Sequence, residues 1–123
     1  MLFRSPPVPG TGSGLGDGTG GGTGGGIYRP GNGVVTPRAI YAAKPRYTND
    51  AMRARLQGSV LVECVVQTNG ACTNVRVLRS LDPVLGLDQE AINAALEWRF
   101  APGTLLGQAV PVIVTIELDF VLR

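Results

Sequence analysis

Few side chains in this sequence are suited to catalysis. The 123 residues contain no histidine, so the commonest general base is missing, and with only two cysteines a protein-built zinc site is implausible. The aspartates and glutamates are scattered over predicted helix and strand surfaces, without an evident pair that could act as acid and base. We therefore predict that the protein is not an enzyme and that it binds no metal or other cofactor.

The chemistry that the sequence does offer is backbone hydrogen bonding along its last strand. Over residues 110–122 every second residue is apolar, and the positions between them include Thr115, Glu117 and Asp119. This is the period-2 pattern of a strand with one buried face. Pro111 lacks the N–H group that a fully paired central strand requires. The pattern predicts an edge strand, whose unpaired N–H and C=O groups can accept another strand.

Several side chains near this strand have two interpretations. Glu117 and Asp119 could recognise a bound segment, or they could keep a long exposed edge from pairing indiscriminately. Tyr47 is open in the same way, since its hydroxyl suits the margin of a core or a surface contact equally well. The other large aromatic residues considered are expected in the core rather than on a binding surface: Trp98, Phe100 and Phe120.

The two cysteines flank a predicted hairpin turn at Asn69-Gly70, where both turn residues tolerate positive φ. An oxidising compartment would allow Cys64 and Cys72 to form a disulfide. With a two-residue turn Cys64 would face Val75, and Cys72 would lie on the opposite side of the sheet. A bulge or a longer turn would restore the match, so both outcomes stay open.

Two helices are predicted from capping residues and apolar spacing. The first begins after Thr48 or Asn49 and is stopped by Gly58. The second begins after Gly86, with Asp88 as its cap or as an acid in its first turn.

The remaining elements are strands. Residues 59–67 are apolar on both faces, which is typical of the middle of a sheet, and residues 72–79 follow as the second strand of the hairpin. The helix before residues 110–122 returns the chain parallel to the second strand. We predict an α+β fold: a three-stranded antiparallel sheet in the spatial order 2-1-3, with the helices packed on one face.

The composition divides the chain into two parts. Thirteen of its 18 glycines fall in residues 10–33, and we expect residues 1–38 to be a flexible, disordered Gly/Pro-rich linker that precedes a domain at residues 39–123. From Lys44 onward, eight basic residues balance eight acidic ones, so we expect no nucleic-acid partner. The sequence has no apolar run long enough to cross a bilayer.

From about Lys44 onward the chain resembles the C-terminal domain of TonB-family energy transducers. The family usually has proline after the tyrosine at position 47, where this chain has Thr48. The matching features, in chain order, are Tyr47, Gly58-Ser59-Val60-Leu61-Val62, Asn69-Gly70, Val75-Arg76-Val77, Leu87-Asp88 with Ala91 and Ala95, Trp98-Arg99-Phe100-Ala101-Pro102, and Gly107-Gln108-Ala109-Val110-Pro111-Val112.

The resemblance implies a periplasmic domain that binds the TonB box of a TonB-dependent outer-membrane receptor by strand addition and transmits energy from the proton gradient for substrate uptake. It also implies an inner-membrane tether, an N-terminal helix absent from this chain, and contact with an ExbB/ExbD-type motor. The partner-binding residues implied by the family are Lys44, Pro45, Arg46, Tyr47, Val112, Ile113, Val114, Thr115, Ile116, Glu117 and Leu118.

Two alternatives remain beside this interpretation. The same fold could serve as an envelope adaptor or structural module with a different protein partner and no role in force transmission. The long last strand could also pair with its own copy and form a homodimer.

Overall fold

A computed structural model of the chain describes residues 2–4 and 26–122. Its helices and strands are β1 (Leu2–Arg4), β2 (Val34–Val35), β3 (Arg38–Tyr41), α1 (Asn49–Arg53), β4 (Gly58–Val66), β5 (Cys72–Arg79), α2 (Leu87–Glu97), β6 (Arg99–Ala101), β7 (Thr104–Leu105), β8 (Gln108–Ala109) and β9 (Val112–Phe120).

The main sheet has four strands in the order β1-β9-β4-β5. The α+β class is confirmed, and β4 lies between β5 and β9, antiparallel to both. The prediction of three strands, all antiparallel, is wrong, because β1 joins the sheet and runs parallel to β9. A strand of three residues beside a Gly/Pro-rich stretch carries no periodicity that would reveal it.

The predicted linker, residues 1–38, is described in two parts. Leu2–Arg4 lies in the main sheet, and within residues 26–38 β2 pairs with β7. The strand β3 begins at Arg38 and pairs with β6. Residues 5–25, where disorder was also expected, lie outside the described residues.

The hairpin between β4 and β5 has the longer of the two turns considered for it. Gln67 N–H donates to the Ala71 carbonyl at 2.9 Å, and Gly70 N–H donates to the Gln67 carbonyl at 2.8 Å, which leaves a three-residue turn at residues 68–70. Gly70 has φ +86°, and a Cβ there would lie 2.1 Å from the Phe100 carbonyl oxygen. Only glycine therefore allows this turn to pack against β6.

The first helix starts as predicted and ends earlier. The Thr48 hydroxyl accepts a hydrogen bond from Ala51 N–H at 3.2 Å, which identifies Thr48 as the N-cap. Arg55 has φ +54°, a left-handed conformation that ends the helical path before Gly58 is reached. The helix therefore covers only Asn49–Arg53.

Two carboxylates lie at the start of the second helix, Asp82 in the loop from β5 and Asp88 within the helix. Asp82 is 4% exposed and accepts hydrogen bonds from the backbone N–H groups of Val84, Leu85 and Leu87 at 2.8 to 3.2 Å. Asp88 lies in the first turn, as predicted, and its carboxylate accepts from Leu81 N–H and Asp82 N–H. Together they satisfy backbone donors around the start of α2.

The core lies between one face of the sheet and α2. Alternate residues of β4 and β9 pack there against the small residues of α2, such as Ala91 and Ala95. The prediction that the large aromatic residues belong to the core is confirmed: Trp98, Phe100 and Phe120 are at most 3% exposed.

Candidate strand-binding site

The outer edge of β9 is the candidate site. Its inner edge is paired with β4 over the whole of Val112–Phe120. Ile113 N–H donates outward, to the carbonyl of Tyr28 at 2.9 Å, and because backbone groups alternate along a strand, those of Thr115 and Glu117 point outward as well. This edge therefore presents a row of donors and acceptors to whatever lies beside it.

The expectation that this edge is free is wrong. The segment Leu2–Arg4 lies along it as a parallel strand, with Leu2 opposite Thr115, Phe3 opposite Ile116 and Arg4 opposite Glu117. Unpaired backbone groups on an edge strand attract any extended segment that can reach them, and this chain supplies one of its own.

Tyr28 occupies the start of the same edge. Its N–H donates to the Pro111 carbonyl at 2.9 Å, and its carbonyl accepts from Ile113 N–H. Pro111 contributes only an acceptor here, so its missing N–H group costs nothing. Within the described part of the chain, the outer edge of residues 118–120 has no strand beside it.

On the core side of the edge, the Phe3 ring lies against two aromatic rings. Its centroid is 5.1 Å from that of Phe100 and 6.4 Å from that of Trp98, both edge-on with interplanar angles of 73°. The Trp98 indole N–H donates to the Ala43 carbonyl at 3.2 Å, which fixes the orientation of that ring. We call Trp98, Phe100 and Ile116 the Phe3 pocket.

On the other face of the sheet, Glu117 lies between two cations. Its carboxylate forms ion pairs with Arg4 and with Arg79, the latter at 3.4 Å. The Glu117 side chain is 13% exposed, whereas that of Arg4 is 60% exposed. Asp119 does not join this cluster, because its carboxylate accepts from the Ser59 hydroxyl at 2.6 Å. The two predicted acids thus have different surroundings.

Residues 44–47 run across the core side near the same strand. Lys44 and Arg46 are exposed, whereas Pro45 and Tyr47 are buried. The Tyr47 hydroxyl donates to the Leu56 carbonyl, and its ring lies edge-on to Phe120 with centroids 5.5 Å apart. Burial raises the pKa of Tyr47. Of the two interpretations of Tyr47, the structure supports the core margin.

The predicted contact residues of β9 divide by face. Val112, Val114, Ile116 and Leu118 are buried toward the core. Ile113, Thr115 and Glu117 lie on the opposite face. Sequence reasoning missed Trp98 and Phe100 as parts of the site, since it assigned them to the core alone.

Cys64 and Cys72 lie on one face of the hairpin and are joined as a disulfide, with Cα atoms 5.9 Å apart. Because the turn has three residues, Cys72 pairs with Val66, which shares a face with Cys64. The register also shifts between Glu63 and Val65, opposite Asn74 at φ +54°. A longer turn and a bulge are thus both present.

Within the described residues there is no cluster of three or more potential metal ligands. In the same part of the chain, no helix is long and apolar enough to span a membrane.

The fold and the edge define a class of protein: an α+β domain with an extended segment bound along its last strand. Residues 43–122 match the family described as the C-terminal domain of the Gram-negative bacterial TonB protein. The chain belongs to this family.

Individual relatives agree with this assignment. Protein TonB of Xanthomonas campestris pv. campestris strain B100 is 37% identical over 79 residues, which are 64% of this chain and 35% of that protein. Protein TonB of Escherichia coli K12 is 36% identical over 67 residues, 54% of this chain and 28% of that protein. The chain therefore spans about a third of the length of these relatives.

The fold is also found in a solved structure. The solution NMR structure of the Pseudomonas aeruginosa TonB C-terminal domain superposes with a TM-score of 0.59 and 23% sequence identity. The match covers 76% of this chain and 91% of that structure.

Proposed function

We propose that this chain contains the periplasmic protein-binding domain of a TonB-like energy transducer. In this proposal the outer edge of β9 binds the TonB box of an outer-membrane receptor by strand addition, and the domain passes on energy derived from the proton gradient. The observation that carries the proposal is that this edge already has a parallel strand, Leu2–Arg4, paired along it. Another extended segment of suitable sequence can pair with β9 in the same way.

The surroundings of the edge suit such a role. The strand β9 is paired with β4 along its whole length, so a pull on an added strand would be shared along the β4–β9 ladder. Pro45 and Tyr47 hold their segment against the core, which leaves Lys44 and Arg46 exposed to contact a receptor. Their positive charge would influence which receptor is accepted.

Two further parts of the proposal rest on family membership. By analogy with the family, the domain would lie in the periplasm and be tethered to the inner membrane by a helix that contacts an ExbB/ExbD-type motor. We extend that arrangement to this protein as a proposal, with no catalytic role for the domain.

The direct test is an NMR titration of the full, isotope-labelled chain with TonB-box peptides from receptors of the source organism. We expect backbone amide shifts at residues 112–118 and around residues 44–47. Peptides from several receptors that cause no shifts at millimolar concentration would contradict the proposal and favour an adaptor with a different partner.

A pair of variants at one position tests strand addition itself. Thr115→Pro removes an outward N–H group, which lies on the side of β9 away from β4, and so leaves the neighbouring pairs with β4 in place. We expect it to abolish the shifts. The matched variant Thr115→Val keeps the N–H group and should still bind peptide.

A further inference from the structure

The contacts of Leu2–Arg4 differ from one residue to the next, and the differences describe a ligand. We propose that the outer edge of β9 selects its partner at two adjacent positions: a large apolar side chain in the Phe3 pocket, followed by a cationic side chain on Glu117. The partner is then an extended protein segment, parallel to β9, that contains a large apolar residue directly followed by Arg or Lys. This inference rests on the proposed function and names the sequence chemistry that the site accepts.

The first position is an aromatic pocket. Trp98 is 1% exposed and Phe100 is 3% exposed with Phe3 in place, and both rings also belong to the hydrophobic core. The Trp98 indole is fixed by its hydrogen bond to Ala43, and Ile116 lies opposite the incoming residue on the same face. A large apolar side chain gains edge-on ring contacts there, whereas a small one leaves apolar surface uncovered and a charged one loses its hydration.

The second position is electrostatic. Glu117 is largely buried, and when Arg4 leaves, Arg79 at 3.4 Å is the one described cation still paired with it. An arginine or lysine on an incoming strand replaces Arg4, while an acidic residue would place two carboxylates together on one face. The position therefore distinguishes basic from acidic segments.

The residue that precedes the pair is not selected by a pocket. Leu2 lies opposite Thr115 and is 51% exposed. Its contribution is mainly backbone pairing, which any residue other than proline can provide.

The test uses the full chain with substitutions that release Leu2–Arg4 from the outer edge of β9. The opened chain carries Phe3→Asp and Arg4→Glu, which places acids at the Phe3 pocket and beside Glu117. A second version carries Phe3→Gly alone, and in both the three long strands are unchanged. Amide dispersion and the signal of the Trp98 indole N–H verify the fold.

The probes are three synthetic peptides, titrated against the opened chain with shifts followed at residues 115–117 and at the Trp98 indole. The reference peptide is acetyl-Gly-Leu-Phe-Arg-Gly-amide, and the other two replace Phe by Ser or Arg by Glu. We expect the Ser peptide to bind about ten- to a hundredfold more weakly, and the Glu peptide about tenfold more weakly. In an opened chain that also carries Glu117→Lys, the preference between the Arg and Glu peptides should reverse.

The outcomes separate this inference from the proposed function. Equal binding of all three peptides would mean that the edge recognises backbone only, which overturns the inference and leaves strand addition intact. Failure of every peptide, TonB-box peptides included, to bind the opened chain would overturn both. Binding of the reference peptide with the expected ranking, without binding of any TonB-box peptide, would support the inference and overturn the receptor as partner.

Discussion

Asp82 is the residue on which the start of α2 depends. Burial by itself raises the pKa of Asp82, but hydrogen bonds from the backbone N–H groups of Leu85, Val84 and Leu87 lower it more, so its pKa lies below the usual value. A carboxylate in this setting stabilises the fold above its unfolded pKa of about 4, and that contribution is lost as the pH falls through the folded pKa.

We predict that Asp82→Asn lowers the free energy of unfolding at neutral pH by about 1–3 kcal/mol, because the carboxylate accepts three backbone N–H groups out of reach of water. Urea unfolding between neutral and acidic pH should show the curves of the two proteins converging below about pH 4. Asp50→Asn is the control, since Asp50 is an exposed acid in the first turn of α1 and should change stability little. A constant difference at all pH values would contradict the assignment.

The buried hydroxyl of Tyr47 also contributes to stability. Tyr47→Phe keeps the edge-on contact with Phe120 and removes the donor to the Leu56 carbonyl, so we expect a loss of about 1 kcal/mol at neutral pH. Because burial raises the pKa of Tyr47, its contribution is present below the unfolded pKa of about 10 and is lost as the pH rises through the folded pKa.

Alkaline unfolding monitors this directly. The wild-type chain should lose stability more steeply than Tyr47→Phe above about pH 10. There the Tyr47 phenol ionises in the unfolded chain, whereas burial in the folded protein disfavours its ionised form. Tyr41→Phe serves as the control, since Tyr41 is 54% exposed. Parallel curves for all three proteins would place the Tyr47 hydroxyl in solvent.

The β4–β5 hairpin is cross-linked by the Cys64–Cys72 disulfide, and its stability depends on that bond. The cysteines are eight positions apart in the sequence, and closing a loop of that length removes enough freedom from the unfolded chain to stabilise the fold by about 2–3 kcal/mol. We predict no free thiols in protein prepared under oxidising conditions and assayed denatured without reductant. Adding reductant should lower the unfolding midpoint.

The matched control is the double variant Cys64→Ala/Cys72→Ala, which should unfold near the midpoint of the reduced wild-type chain and be indifferent to reductant. Two free thiols in the oxidised wild-type chain would contradict the disulfide. So would a midpoint that does not respond to reductant.

The same hairpin shows where sequence reasoning succeeds and where it stops. The apolar run of residues 59–67 placed β4, and Asn69-Gly70 placed the turn and the strand that follows it, because these signals act over a few residues. The turn length stayed open, since the close approach of Gly70 to Phe100 depends on where β6 lies. Turn length decides which face Cys72 occupies, so the disulfide could not be settled without the tertiary structure.

Over the whole molecule, the edge of the candidate site could be predicted and its occupant could not. The alternation of apolar and polar residues along β9, and the proline at position 111, can be recognised within one short stretch of sequence. The pairing of Leu2 with Thr115 joins parts of the chain more than a hundred residues apart, and three residues carry no periodic signal. What distinguishes Leu2-Phe3-Arg4 is composition, an apolar and basic cluster beside a stretch rich in glycine and proline.

The segment Leu2–Arg4 competes with any partner for the outer edge of β9. One edge accepts one strand over residues 115–117, so a partner that pairs there must displace Leu2–Arg4. A competitor that is part of the same chain leaves the edge vacant in only a fraction of the molecules. The apparent affinity for the partner is reduced in proportion to that fraction. We therefore expect TonB-box peptides to bind the opened chain about three- to tenfold more tightly than the wild-type chain in calorimetric titrations.

Two comparisons make this result specific. Leu2→Asp adds a charge to the same strand on its exposed side and should tighten binding far less than the opened chain does. Repeating the titration over a range of protein concentrations separates displacement within one chain, which is independent of concentration, from displacement of a second copy paired at the edge, which is not. Equal affinity of the opened and wild-type chains would show that the partner pairs elsewhere along β9, where residues 118–120 have no described neighbour on the outer side.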